Sequence, residues 1–484
     1  TGILRQLLKA NSGVSSNIVN LSEGKTDNKG IRDYKGFKIK LKMRLPVWNS
    51  KLFAEALLLV SMLGLAIGQA SKSTLILLDN LAIKETHSEF FKDLQSRGYQ
   101  LTFKMSDDPG LSLKKYGVWL YQNVVLFAPG TDELGGDLSP EAVAEFVDNG
   151  GNVLIAGSPN AGDAIRDLAA EFGVELDDPG SLVIDHLNYD VGRDTGRHTV
   201  IAVDPSNLID SEAIVGAGNV APILYEGSSL LVDPENPLVL EILTASSSAY
   251  SYDPIKPISE YPHTVGKNTV LVAGLQARNN ARVVFTGSLE LFSDAFSAAA
   301  AQRSGKAPGK SGNEALIKSL SQWVFKEKGV LRLSNVTHHK AGETQAPVAY
   351  TVTEEVVYSV VLEELRDGVW TGYTADDIQL EFVRIDPFVR TTLKRQPGSS
   401  GSYQSRFTIP DVYGVFQFKI DYQRKGFTHL SSVTQVSVRP LQHTQYERFI
   451  PGAFPYYASA FSMMLGVFIF SCVFLHYKEK DKSD

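Results

Sequence analysis

Three clusters in the 484-residue sequence combine residue types that could do chemistry. Asp185-His186 with Asp190 sets an imidazole among carboxylates, the ingredients of an acid–base pair or a metal site. No second ligand pair follows at a chelating distance, so a polar surface turn is the simpler reading. Gly157-Ser158-Pro159-Asn160-Ala161-Gly162 follows an apolar run and has the flexibility to cradle a phosphate. It matches neither dinucleotide nor P-loop spacing, and Pro159 removes a backbone donor such a loop needs. It reads as an ordinary strand-to-helix loop. His338-His339 are adjacent, and on a strand they would face opposite ways, which is poor for chelation and reads as structural. No GxSxG elbow and no HExxH motif occurs. The single cysteine, Cys472, sits in an apolar run near the C terminus, which excludes a thiol nucleophile from everything before it. The sequence therefore assigns no catalytic, cofactor-binding or metal-ligating residue.

The elements that must position these clusters fall into two patterns. From Ser71 to Gly329, short continuous apolar runs alternate with amphipathic segments, as in a parallel sheet covered on both faces. Strands are expected at Leu75 to Leu78, Asn123 to Ala128, Asn152 to Ala156, Val270 to Ala273 and Arg282 to Phe285. Helices are expected at Glu85 to Arg97, from Ser139-Pro140 to Asn149, at Leu289 to Ala301 and at Asn313 to Lys328. This is an α/β domain of the flavodoxin or glutamine-amidotransferase layout. The Pro-, Gly- and Ser-rich stretch from about 175 to 265 carries no clear period. Beyond Gly329 the period becomes two. Phe416, Phe418, Ile420 and Tyr422 alternate with Gln417, Lys419 and Asp421, and turn clusters separate several such strands, as in an antiparallel β-sandwich over 330–453.

The run Ala458 to Leu475 contains no Lys, Arg, Asp or Glu and is flanked by Tyr456, Tyr457 and Tyr477. At 1.5 Å per residue it nearly matches a ~30 Å hydrocarbon core. Its nine large apolar residues contribute roughly −3 to −5 kcal/mol to insertion, favourable with little to spare. A transmembrane helix over 454–477 follows, with a tail over 478–484. Lys478, Lys480 and Lys482 lie just beyond it, whereas the stretch that leads into it has only Arg439 and Arg448. The tail is thus expected in the cytosol and the N-terminal body in the lumen. Lys480 and Lys482 have the KxKxx spacing of an endoplasmic-reticulum retrieval address. Met43 opens a second apolar region with the three parts of a secretory signal, so 43–70 is expected to be a signal peptide cleaved after Ala70. Residues 1–42 read as an upstream extension. A formal net charge of −7 argues against a nucleic-acid partner. Asn335-Val336-Thr337 is a possible glycosylation site. Ser459, Ser462 and Gly466 place small residues on one side of the membrane helix, a surface for packing against another helix.

Four stretches carry a resemblance: Leu77 to Leu81, Val265 to Arg282, Leu380 to Arg390, and Val438 to Pro451, which runs into the membrane helix. They resemble the DDOST family, the single-span, non-catalytic 48 kDa subunit of the endoplasmic-reticulum oligosaccharyltransferase. The resemblance covers everything from about Ser71 to Asp484. It implies an accessory role beside a separate catalytic subunit, ribophorins and small membrane subunits. That complex moves an oligosaccharide from dolichyl diphosphate to Asn-x-Ser/Thr sites. It carries no catalytic residue and no cofactor onto this chain. The alternative reading is a lumenal cargo or quality-control receptor of the early secretory pathway, tethered in the same way.

Overall fold

The computed structural model describes residues 72–218, 221–303 and 309–478. The expected upstream extension, the signal peptide, Lys480 and Lys482 all lie outside them. Strand β1 (Ser73–Leu78) shows why the first sheet forms. Leu75 and Leu77 enter the core on one face, and Ile76 and Leu78 enter the core on the other. It pairs in parallel with β2 (Gln100–Met105) and with β3 (Asn123–Phe127). The parallel half continues through β4 (Asn152–Ala156). Helix α1 (Ser88–Ser96) covers one face with Phe90, Phe91 and Leu94, while α2 (Pro140–Asp148) and α3 (Asp163–Glu171) cover the other. The α2 start is the expected one: Ser139 Oγ accepts from Ala142 N at 3.2 Å and Pro140 needs no donor.

Half of the sheet departs from the parallel expectation. Strand β5 (Val174–Leu176) lies at its far edge, and β6 (Leu182–Ile184) lies outside it. The short strands β7 (Leu230–Val232), β8 (Val239–Thr244) and β9 (Tyr250–Tyr252) fill the stretch that showed no period. Strands β10 (Val270–Gln276) and β11 (Arg282–Thr286) are joined by a tight turn at 277–281, which forces them antiparallel. The resulting order is β2-β1-β3-β4-β11-β10-β7-β5, with β8 also on β10.

Two expected helices are also broken. The first turns at His87, where the Asp294 carboxylate accepts from Ser88 N, Ser88 Oγ and Glu89 N and so restarts it. The expected helix from Leu289 to Ala301 is two single turns, because Ser293 is extended and its hydroxyl caps the next turn at Phe296 N. Helix α4 (Asn313–Val324) closes this body with Leu316, Ile317, Leu320 and Val324 inward.

The second body is two packed sheets. One contains β12 (Leu331–Lys340). The short β13 (Tyr350–Thr351) belongs to the other. Strand β14 (Glu355–Arg366) pairs with β12, β15 (Gln379–Val383) pairs with β16 (Pro387–Thr392), and β17 (Ser402–Thr408) pairs with β14. Strands β18 (Gly414–Tyr422) and β19 (Leu430–Arg439) complete the second sheet, in the order β13-β19-β18-β15-β16. As the alternation requires, Phe416, Phe418, Ile420 and Tyr422 all face the core. Phe382 stacks on Phe416 with ring centres 4.6 Å apart.

A buried side chain is central to the junction of the two bodies. Arg282, fully buried at the start of β11, donates from Nη1 to Trp323 O and Lys328 O, both at 2.7 Å. Its Nη2 donates to Gly329 O at 2.6 Å and to Gly426 O at 3.3 Å. The guanidinium also lies over the Trp323 ring, whose Nε1 donates to the same Gly426 O at 2.8 Å. Gly426 is at φ 84°, and an added Cβ there would stand 2.6 Å from Ser211 Oγ, so only glycine lets the turn approach this closely. Gln276 Nε2 donates to Phe427 O at 2.7 Å, and Asn280 bonds both backbone groups of His429. Burial pushes the Arg282 guanidinium down to about 9, still charged at neutral pH.

Arg282→Met keeps an apolar stem but takes one hydrogen bond from each of four carbonyls and leaves Lys328 O with none of the donors seen here. Partial relief of the buried charge offsets some of that, leaving an expected loss of roughly 2–4 kcal/mol. Chemical denaturation of the detergent-purified full chain should show the lower midpoint; an unchanged midpoint would remove Arg282 as the clamp.

Candidate functional site

In open α/β sheets ligands bind outside the carboxyl ends of the strands, where the strand order reverses. Here that point lies between β1 and β3, and the chain itself occupies it. Asp79 Oδ2, just past β1, accepts from Gly130 N at 3.1 Å. Ser106, just past β2, binds Thr131 through its hydroxyl at 2.7 Å, and its carbonyl accepts from Gly135 N. Gly162 packs so closely on this loop that a Cβ would lie 2.3 Å from Thr131 O. The loops after β1, β2, β3 and β4 therefore interlock over the crevice through side-chain and backbone bonds.

The glycine-rich loop takes part in this packing. Gly157 N donates to Thr286 O, Ala161 N to Ser158 O and Gly162 N to Pro129 O, so these donors are directed into the protein and not toward an anion. Asp185, His186 and Asp190 do not converge. Asp185, 1 % exposed, accepts from Leu187 N, Asn188 N, Asn188 Nδ2, Ser248 Oγ and Ser246 Oγ. Burial raises its carboxyl, but the bonds from Ser246, Leu187, Ser248 and Asn188 outweigh that and hold it below the usual carboxylate range. His186 turns the other way and bonds His198 Nδ1 at 2.7 Å and Tyr250 OH at 3.0 Å. Asp190 is buried elsewhere and accepts from Gln302 N at 2.6 Å.

His338 bonds Tyr350 OH at 2.8 Å and packs on Phe418, and burial lowers its pKa; its neighbour His339 bonds Lys340 O. The two rings therefore have separate partners. Asn335 stands exposed on an irregularity of β12, between Ser334 and Thr337. Among the described residues one group of side chains does bring ligating atoms together: Asp177, Asp178 and His263. Sequence reading missed it because His263 lies far along the chain from the aspartates and is delivered by a separate loop.

Helix α5 (Phe454–His476) is apolar on every side, with mean hydropathy 2.2 in its most apolar window and none of that window buried against the protein. Twenty-three residues span about 34 Å, enough to cross a hydrocarbon core. Ser459 Oγ donates to Tyr456 O and Ser462 Oγ to Ser459 O, so both hydroxyls are satisfied within the helix. Nothing lies within 4 Å of a Cβ built on Gly466. The small-residue side is thus open and makes no polar demand on a neighbour.

Two family models match the chain, the OST48 N-terminal domain over residues 65–327 and the OST48 middle domain over residues 338–478. The sequence is 57% identical over 436 residues to the dolichyl-diphosphooligosaccharide–protein glycosyltransferase 48 kDa subunit of Danio rerio, covering 90% of this chain and 97% of that one. The protein of the same name from Drosophila melanogaster is 58% identical over 434 residues, covering 87% and 96%. That from Caenorhabditis elegans is 48% identical over 427 residues, covering 87% and 95%.

If Asp185 holds its turn together and does nothing else, Asp185→Ala strands several buried donors. It should cost about 2–3 kcal/mol in chemical denaturation. Wild-type stability in that variant would mean that the carboxylate is kept for some other purpose.

Proposed function

The chain belongs to the OST48 family, and on that premise we propose that it is an accessory, non-catalytic subunit of the endoplasmic-reticulum oligosaccharyltransferase. In this role it supports assembly of the complex that transfers an oligosaccharide from dolichyl diphosphate to Asn-x-Ser/Thr of nascent proteins. The observation that carries the reading is identity of about half or more with the 48 kDa subunits of three animals, over nearly their whole length, with the family's middle-domain model running through the C-terminal helix. A scaffold role is supported by what the reactive side chains do. Asp185 and the Gly157–Gly162 loop each hold chain in place, and the crevice at the strand ends is filled by loops.

In this account α5 is the single membrane span. The lysines after it, Lys478, Lys480 and Lys482, stay in the cytosol, the last two as a retrieval address. The mature chain starts near Ser71, and both bodies face the lumen, beside the catalytic subunit and the ribophorins. Ser459, Ser462 and Gly466 offer the close-packing side toward a neighbouring membrane subunit. Asn335, exposed on β12, is accessible to carry a glycan of its own; an Asn335→Gln chain of unchanged gel mobility would dismiss that.

Microsomes solubilised in mild detergent and separated on a native gel test the assignment. The chain should migrate in fixed proportion with glycosyl-transfer activity, and leucine at both Ser462 and Gly466 should lower that co-migration several-fold. A free or variably associated chain, the behaviour of a cycling receptor, would contradict it.

A further inference from the structure

The loop after β5 and the segment after β9 meet around a cavity of about 240 Å³, and three metal-ligating side chains converge on it. We propose that Asp177, Asp178 and His263 bind a divalent first-row cation of the Mn²⁺ or Zn²⁺ class. His263 Nδ1 lies 3.0 Å from Asp177 Oδ1 and 3.8 Å from Asp178 Oδ2, and the ligating atoms all fall within 4.8 Å of one another. Neighbouring ligands of an ion bound at about 2.0–2.2 Å stand roughly 3–4 Å apart, and both distances from His263 fall in that range. Two carboxylates match the charge of a divalent ion and suit Mn²⁺, and the imidazole extends the set toward Zn²⁺ and away from the all-oxygen sites of Ca²⁺ and Mg²⁺.

The surroundings are built for it. The Asp177 side chain is only 2% exposed and is fixed by Ser229 Oγ, which donates to Oδ2 at 3.0 Å and itself receives Thr264 Oγ1 at 3.0 Å. Such outer partners hold a carboxylate in the orientation an ion needs. Asp178 and His263 are largely open to solvent, which gives the ion a way in and room to keep bound water. An independent feature is Ser251. It is 2% exposed, lines the same cavity, and its hydroxyl has no partner among the described residues. An unsatisfied buried hydroxyl is unusual in a native protein and sets this wall of the cavity apart. Asp253 and Glu260 add negative charge to the wall, and Lys256 is tied to Asp253 at 3.0 Å, so the cavity attracts cations. Binding uses the lone pair of Nδ1, so the His263 proton moves to Nε2 and the His263–Asp177 hydrogen bond gives way to the ion.

The site rests on residues of this chain and is independent of its place in a complex. The test counts Mn²⁺ bound per chain by equilibrium dialysis after chelator treatment, on the purified complex or on the full-length chain if it runs free. Asp178→Asn and His263→Ala are compared with wild type, and their thermal midpoints without metal confirm folding. Each variant should lose one equivalent, or bind it at least tenfold more weakly, and lose the rise in melting temperature that Mn²⁺ gives the wild type. The same count in wild type and in either folded variant overturns the site, as does a wild-type chain that binds no Mn²⁺ or Zn²⁺.

Discussion

A guanidinium that faces no carboxylate among the described residues joins the two bodies of this molecule. Arg282 is buried among carbonyls of α4, of the connection at Gly329 and of the turn at Gly426, over the ring of Trp323. Burying a charge is costly, and a group of partial negative charges offsets that cost only when each is aimed at it. The geometry is therefore demanding. The last parallel strand, the end of the closing helix and a turn of the sandwich must all be in place together. Lys326, nearby and half-buried, is pushed down to about 8 by burial and by the Arg282 charge.

From that clamp follows the way the chain can work. The sheet of the first body meets the turn between β18 and β19, and β19 leads on through 440–453 to the membrane helix. A surface on the first body is thereby tied through packed elements to the sandwich strand that runs toward the anchor. A subunit that positions its neighbours needs this kind of continuity more than it needs a reactive centre. The buried carboxylate of Asp185 is likewise occupied in fixing a turn.

How much of this could be read from the residues depends on the range of the forces involved. The alternation of Phe416, Phe418 and Ile420 is local, and it placed the sandwich core correctly, as Ser139-Pro140 placed a helix start. The resemblance in four runs pointed to the family that the comparisons bear out. Local periodicity could not show that β10 and β11 fold back as a hairpin, because continuous apolar runs look alike in parallel and antiparallel sheets. Nor could it show that Asp294 restarts a helix some two hundred residues earlier in the chain. Arg282 read only as the first residue of a strand. The cavity group was invisible for the same reason: Asp177 and His263 become neighbours only when two loops of the irregular region meet.

The claim on which the account stands is that this chain organises the transfer of oligosaccharide and a neighbour performs it. Transfer to an Asn-x-Thr acceptor peptide, measured side by side with the purified full-length chain and with the intact complex at equal concentration, addresses it directly. The account predicts product from the complex and none from the chain alone. Glycosylated peptide formed by the isolated chain would contradict it.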